Sequence, residues 1–214
     1  MSAKATGSPF WGVLAAVLLI GAGPAVSALL QTSASAAVLA SAPSFRLPEG
    51  CTRPAPEPFV PAPAFRFPIT CGEHVFDVAV TAFPARSSPN ALAVARRRAT
   101  QELGAEDVSV TPIHLARADK GRWTLVETSE PNRATAYSIW MDGNPAADGL
   151  AGRLAQARTS LFGANHAPVL ITISTAERQR VSAQERQSVA DVLRTVVDAQ
   201  SDLGAEVERL SRLR

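Results

Sequence analysis

Aromatic and charged residues are scarce in this 214-residue chain, and its charges nearly cancel. Aromatic side chains make up 6% and charged side chains 19% of the residues, with 21 basic against 19 acidic groups. The net charge of +2 supplies no cationic field for a polyanion, so no nucleic-acid partner is predicted. The hydrophobic content of 46% excludes a disordered chain, and the composition as a whole also excludes a multi-pass membrane protein.

The motifs that usually accompany catalysis are also missing. The chain has no G-x-S-x-G, H-E-x-x-H, phosphate-loop, G-x-G-x-x-G or C-x-x-C pattern. Its three histidines, His74, His114 and His166, lack the local spacing that is typical of metal ligands. The sequence therefore predicts no catalytic, cofactor-binding or metal-binding residue, and an enzyme is the less favoured class.

One apolar segment near the N-terminus is long enough to cross a membrane. Residues 9–31 contain no charged side chain and follow a short tip, residues 1–8, that carries Lys4. This length spans a hydrocarbon layer of roughly 30 Å, and the charge bias favours a single-pass anchor with residues 1–8 in the cytoplasm. A cleaved signal peptide is the alternative, because small residues at alternate positions follow the run. Both interpretations export the rest of the chain.

A proline-rich stretch, residues 32–72, is predicted to link this segment to the folded domain. Eight of the 16 prolines lie between positions 43 and 68, which favours an extended spacer without helices or central strands. Phe59, Phe65 and Phe67 are too apolar for a pure spacer, so part of the stretch is expected to lie across the domain. The only cysteines, Cys51 and Cys71, are expected to form a disulfide in an oxidising compartment. A reactive Cys71 thiolate activated by His74 is the less favoured alternative.

Residues 73–181 are predicted to form an α+β domain. Alternating and helical hydrophobic patterns give the order β-α-β-β-β-α-β-α, a mainly antiparallel sheet with helices on one face and a ferredoxin-like character. The β-branched run at 169–173 is predicted to be the most central strand. The predicted strands lie at 75–83, 108–113, 123–127, 135–141 and 169–173, and the predicted helices at 89–103 and 147–162.

Residues 182–214 are predicted to form a C-terminal amphipathic helix that starts with a capping box at Ser182 and Glu185. The part beyond Gly204 is expected to fray or fold back, and pairing with a second copy as a short coiled coil is the alternative. The stripe that would form this interface consists of Val189, Val192, Val196, Leu203, Val207 and Leu210.

Two further features bear on a binding site. The run Arg96-Arg97-Arg98 is interpreted as a solvated helix face. A ligand or partner surface is predicted at His114, Trp123, Tyr137 and Trp140, because aromatic faces with polar edges bind ligands in clefts.

Three stretches carry a resemblance to a known family. They are the two strands with tryptophan from Trp123 to the Asp142-Gly143 pair, the helical segment LAGRLAQAR at 150–158, and the apolar strand from Pro168 to Ser174. Together they resemble the soluble domain of exosortase-associated accessory proteins of exopolysaccharide systems in Gram-negative bacteria. The resemblance implies a non-enzymatic, single-pass inner-membrane protein that faces the periplasm and docks on an integral membrane partner. An exported soluble hydrolase acting on a glycan or peptide is the alternative.

Overall fold

The computed structural model describes residues 38–55, 58–84, 89–115, 121–130, 132–146, 165–176, 183–200 and 202–212, all within one unit, Ala36–Arg214. Eight strands and three helices lie in these ranges. The strands are β1 (Cys51–Thr52), β2 (Ala64–Cys71), β3 (His74–Ala82), β4 (Val108–Ile113), β5 (Trp123–Ser129), β6 (Asn132–Met141), β7 (Asn144–Pro145) and β8 (Val169–Thr175). The helices are α1 (Pro89–Ala99), α2 (Ala183–Asp198) and α3 (Leu203–Ser211).

The strands form a single sheet in the order β1-β2-β3-β8-β6-β5-β4, with β7 paired to β6. Every pairing between these strands is antiparallel. The prediction that β8 is the central strand is confirmed, since it lies between β3 and β6 and all of its residues but the last are buried. An uncharged, β-branched strand fits there because helices or loops cover both of its faces.

The predicted α+β class and mainly antiparallel sheet are therefore confirmed. The ferredoxin-like order is not confirmed, and the helix predicted at 147–162 lies outside the described residues. The segments 1–8 and 9–31 and the capping residue Ser182 also lie outside them. Among the described residues, no helix is both long and apolar enough to span a bilayer.

The segment predicted as a linker contributes two strands to the sheet. β2 pairs with β3 along its whole length even though it contains Pro68. A proline is tolerated there because β1 covers only Thr70 and Cys71, which leaves β2 an edge strand at position 68. The expectation of a spacer over 32–72 is therefore wrong for this part, and the strand was missed because a proline usually argues against one.

The chain before β1 lies across the domain as well. Leu39 is 1% exposed and belongs to the hydrophobic core, as expected of a folded segment and not of a free tether. The expectation that phenylalanines of the linker bury their rings is confirmed in part, because Phe59, Phe65 and Phe67 are half-buried against the core. Phe65 lies 5.8 Å from Phe59 and 5.9 Å from Phe67, between ring centroids. Phe45 adds a contact of 5.6 Å to Phe67.

Residues 38–47, here called the N-terminal strap, are held by hydrogen bonds to Gln200, which follows α2, and to residues of α3. The Gln200 side chain binds the Arg46 backbone twice: its Nε2 donates to the Arg46 carbonyl at 2.7 Å, and its Oε1 accepts from the Arg46 N–H at 3.1 Å. The Ser44 N–H donates to Glu206 Oε1 at 2.6 Å, and Arg209 donates to the Ala42 carbonyl at 2.9 Å. The strap thus joins the two ends of the domain.

The C-terminal segment folds as two helices and not as one. α2 ends at Asp198, and α3 begins at Leu203, before the predicted breakpoint at Gly204. The predicted stripe faces the sheet of the same chain, where all its members are buried except Val192, which is half-buried. The segment beyond Gly204 therefore folds back onto the domain, which was one of the expected outcomes. A homodimer through α2 or α3 would have to use the other faces of these helices.

The remaining helix, α1, covers the opposite face of the sheet. Side chains alternate between faces along β6, so Tyr137 points away from Ala136 and Trp140, which pack toward α2 and α3. Arg96 of α1 lies over the Tyr137 ring, with 5.2 Å between the guanidinium carbon and the ring centroid. The expectation that helices cover only one face is therefore wrong.

Helix α1 ends four residues earlier than the sequence predicts. Gln101 adopts a left-handed conformation with φ 54° and donates its N–H to the Arg98 carbonyl, while the Glu102 N–H donates to the Arg97 carbonyl at 3.0 Å. These two bonds form a Schellman motif, in which a left-handed residue ends the helix. The predicted helix extended to residue 103 because the next residue, Gly104, is of the type that usually adopts the left-handed conformation at a helix end.

Candidate functional site

A pocket of about 590 Å³ opens beside the ends of β4 and β5, and we call it the His114 pocket. Its volume lies within the range of small-molecule and side-chain pockets. His114 and Leu115 follow β4 and form one side, and Gly121 and Arg122 precede β5 and form the other. The remaining lining comes from the strands: Val110, Pro112, Ile113, Trp123, Thr124 and Tyr137.

The sheet register explains why these strand residues meet. Pro112 lies opposite Thr124, and Thr124 lies opposite Tyr137, so the three side chains form a row on one face. That face is the one on which α1 lies, and the row reaches the centre of the sheet where Tyr137 is opposite Thr172 of β8. The pocket is thus built on paired strands and flanked by residues that follow β4 and precede β5.

A half-buried polar network fixes Tyr137 from the side of α1. Arg96 forms an ion pair with Glu102, and these two side chains are only 18% and 14% exposed. The Thr100 hydroxyl donates to the same Glu102 carboxylate at 2.8 Å, and Arg96 Nη1 donates to the Tyr137 hydroxyl oxygen at 3.4 Å. Because a carboxylate, a hydroxyl and an aromatic ring hold its guanidinium, Arg96 is a positioning residue for Tyr137.

Three of the four residues predicted for the ligand or partner surface line this pocket. His114 is exposed, and Tyr137 is half-buried. Trp123 is only 2% exposed, so it offers an edge and not a stacking face. Trp140 does not line the pocket and is 1% exposed in the core. The two tryptophans therefore contribute core packing, and neither presents an exposed ring face.

The close packing around Trp140 also shapes the rim of the pocket. Gly121 has φ +89°, and a Cβ atom at this position would lie 2.6 Å from Trp140 Cζ2. Only glycine satisfies both the left-handed backbone and this contact. The side chains of Ser138 and Trp140 each bury a polar atom, Oγ and Nε1, that has no hydrogen-bond partner among the described residues.

Sequence reasoning missed two residues of the site. Arg96 was interpreted as part of a solvated run, but it is half-buried and contacts Tyr137. Its partner Glu102 lies six positions away, beyond the end of the helix, where helical spacing gives no signal. Arg122 is exposed at the pocket rim, and a basic residue directly before a buried strand was the only indication of it.

The predicted disulfide between Cys51 and Cys71 is present. It lies beside a groove lined by Glu49, Glu73 and His74. Cys71 pairs with His74 in the β2–β3 register, so the two residues are neighbours as the alternative required. Because the Cys71 sulfur is bonded to Cys51, it supplies no thiolate, and the Cys-His alternative is not supported.

The three histidines lie at separate places in the fold. His74 begins β3, and His114 lies in the pocket described above. The backbone of His166 forms an isolated antiparallel β-bridge with Arg212, and its Nδ1 lies 3.5 Å from the Asp142 carboxylate. Within the described ranges, no group of three or more His, Cys, Asp and Glu side chains is arranged to hold a metal ion.

Arg122 and His114 give the pocket its chemistry. Both side chains can donate hydrogen bonds into it, while Pro112, Leu115 and the edge of Trp123 provide apolar walls. Such a lining fits an apolar group that carries a carboxylate or another acceptor.

Comparison of the chain with known protein families, curated proteins and solved structures finds no match.

Proposed function

We propose that this protein is a membrane-anchored, exported accessory protein, without enzymatic activity, of an envelope exopolysaccharide or exosortase-type export system. The observation that carries the proposal is the disulfide between Cys51 and Cys71, which joins β1 to β2. Structural disulfides persist in oxidising compartments such as the bacterial periplasm. The apolar run at 9–31 supplies the means of export, and the resemblance of the stretches around Trp123, LAGRLAQAR and Pro168 supports the type of system.

The His114 pocket is the surface proposed to meet that partner. It combines apolar walls with Arg122 and His114 at the rim, and it lies at the β4–β5 end of the sheet. Interfaces use such pockets for side-chain anchors, with polar groups around them. A loop of the partner that carries an acidic or apolar side chain is the chemistry that this lining fits.

Localisation is tested by adding protease to intact spheroplasts that express the full chain. We expect a membrane-bound species whose released fragment retains Leu39 and both cysteines, since the strap and the disulfide hold this segment on the domain. A soluble species from the start would contradict the anchor and support a cleaved signal peptide. A chain that resists external protease would contradict export.

Partner docking is tested with a photo-cross-linking amino acid in place of Arg122 and, as a control, in place of the exposed Val60. The expected result is a cross-link to an integral membrane protein from position 122 and none from position 60. Replacing residues 9–31 with a cleaved signal peptide is expected to abolish the cross-link from position 122. Equal cross-linking from both positions would contradict the proposed surface.

One observation favours the alternative of an exported soluble hydrolase on a glycan or peptide. The pocket is large enough for a sugar or a side chain, and an exposed histidine lies in it. Among the described residues, however, no hydroxyl group is hydrogen-bonded to His114, as an activated nucleophile would require. Turnover of a glycan or peptide that the His114→Ala variant loses would support this alternative over the accessory role.

A further inference from the structure

Strand β4 forms an open end of the sheet. It lies last in the strand order and pairs only with β5 among the described strands. Five of its six residues are exposed, including Val110 at 55%. An edge strand of this kind presents unpaired N–H and C=O groups, which readily pair with another chain.

The hydrogen bonds of the neighbouring pair show which groups are open. The Ser129 N–H of β5 donates to the Asp107 carbonyl directly before β4. In an antiparallel pair, every second residue exchanges backbone hydrogen bonds with the residue opposite it. Because Asp107 is bonded to β5, the backbone groups of Ser109, Thr111 and Ile113 also face β5. The backbone groups of Val108, Val110 and Pro112 therefore face the open edge, and Pro112, which has no N–H, offers only its carbonyl.

Soluble proteins usually protect an edge strand from pairing, for example with charged side chains or prolines, and β4 has few such features. Its sequence, VSVTPI, contains no charged residue, and Pro112 near its end is its only strand breaker. Val108 and Val110 point to the same face as each other, since they are two positions apart. Leu103, which follows α1, is a further exposed apolar side chain in the segment leading to β4.

We propose that β4 pairs antiparallel with β4 of a second copy of this chain, about a two-fold axis at Val110. The two Val110 residues exchange two hydrogen bonds, and each Val108 N–H donates to the Pro112 carbonyl of the other copy. In the same register, Glu106 of one copy lies opposite His114 of the other. A shift by one residue, centred on Ser109, would lose this complementary pair. Because Val110, Pro112 and His114 also line the His114 pocket, the second copy and the membrane partner would compete for this edge.

A second copy fits this edge better than the other end of the same sheet does. β1 has only two residues, and β2 beyond it carries Arg66 and Pro68. A head-to-tail chain of sheets is therefore disfavoured, while pairing of β4 with itself closes after two copies. Because identical residues meet at the axis, an uncharged residue is required there, and Val110 meets that requirement.

The register is tested by cysteine cross-linking of the full chain, solubilised in detergent. Both native cysteines are in the disulfide, so an added cysteine is the only free thiol among the described residues. Opposed Cα atoms of a hydrogen-bonded pair lie about 5.5 Å apart, within reach of a disulfide. Under mild oxidation, the Val110→Cys variant is expected to form a covalent dimer.

The Val108→Cys variant is the matched control. In the proposed register, the two copies of position 108 are four residues apart along the strand, about 13 Å, which is too far for a disulfide. It is expected to stay monomeric on denaturing gels. Equal cross-linking at 108 and 110, or none at 110, would overturn the proposal.

Sedimentation of the protein without an added cysteine gives an independent measurement of its oligomeric state. We expect a monomer–dimer equilibrium that the Val110→Lys variant weakens at least about tenfold, because two ammonium groups would meet at the axis. The Val60→Lys variant, at an exposed valine outside the sheet, is expected to leave it unchanged. A monomer at all concentrations would overturn the proposal, as would a cross-link from position 110 only to a different protein.

Discussion

Replacing Gln200 with alanine tests whether the N-terminal strap is part of the folded domain. This side chain is 3% exposed, and its amide makes three hydrogen bonds. Two of them go to the backbone of Arg46, 154 positions away in the chain, and Nε2 also donates to the Val196 carbonyl at 2.8 Å. No other described side chain binds both backbone groups of a strap residue.

The magnitude follows from those three bonds. A hydrogen bond contributes about 0.5–1.5 kcal/mol net to the free energy of unfolding. Water can reach the Arg46 backbone after the truncation, since this residue is exposed, so we expect a loss near the middle of the summed range, about 2–3 kcal/mol. For a protein of this size, such a loss lowers Tm by roughly 4–12 °C.

The assay is denaturant unfolding of the oxidised protein, with the Gln187→Ala variant as the control. Gln187 lies on the exposed side of α2, where its Nε2 donates to Asp191 at 3.0 Å. Its loss should change the free energy of unfolding by no more than about 0.5 kcal/mol. An equal effect of the two substitutions, or a loss below about 0.5 kcal/mol at position 200, would refute the role of the strap.

Three further substitutions test particular features of the fold by thermal or denaturant unfolding. Gly121→Ala should destabilise by about 1–3 kcal/mol more than Gly104→Ala, because both positions have positive φ but only position 121 contacts Trp140; equal losses would contradict the close approach. Gln101→Gly should stabilise by about 0.5–1 kcal/mol by relieving the left-handed backbone at φ 54°, and a loss would contradict the Schellman motif. The Cys51→Ser, Cys71→Ser double variant removes the disulfide that closes a loop with a sequence separation of 20, and its free energy of unfolding should fall by about 3 kcal/mol. An unchanged unfolding midpoint would contradict a stabilising role of this disulfide.

Local patterns were enough for much of the sheet. Strands β3, β5 and β6 were predicted from alternation, which records a buried face, and β8 was predicted from a β-branched run, which fits burial on both faces. β4 shows the limit of this argument, since its valines repeat every second residue and yet are exposed. Periodicity indicates the type of element, while the neighbours that cover it belong to other parts of the chain.

The candidate site was predictable only in part for the same reason. His114 and Tyr137 were singled out by residue type, and both line the pocket. The same criterion failed for Trp140, because a large aromatic ring fits a core as well as a binding surface. Arg96 was missed because its role depends on Glu102 and Tyr137, which only the packing of α1 on the sheet brings to it.

The sequence by itself determined the class of the fold, the central strand and the disulfide, because each rests on a local period or on the only available pair of cysteines. The tertiary structure alone decided that β2 is a strand despite Pro68, that the C-terminal segment bends between Asp198 and Leu203, and that the strap closes on Gln200. Each of these features depends on a partner far away along the chain. No local pattern records such a partner, because its contribution to the free energy exists only once the chain has folded.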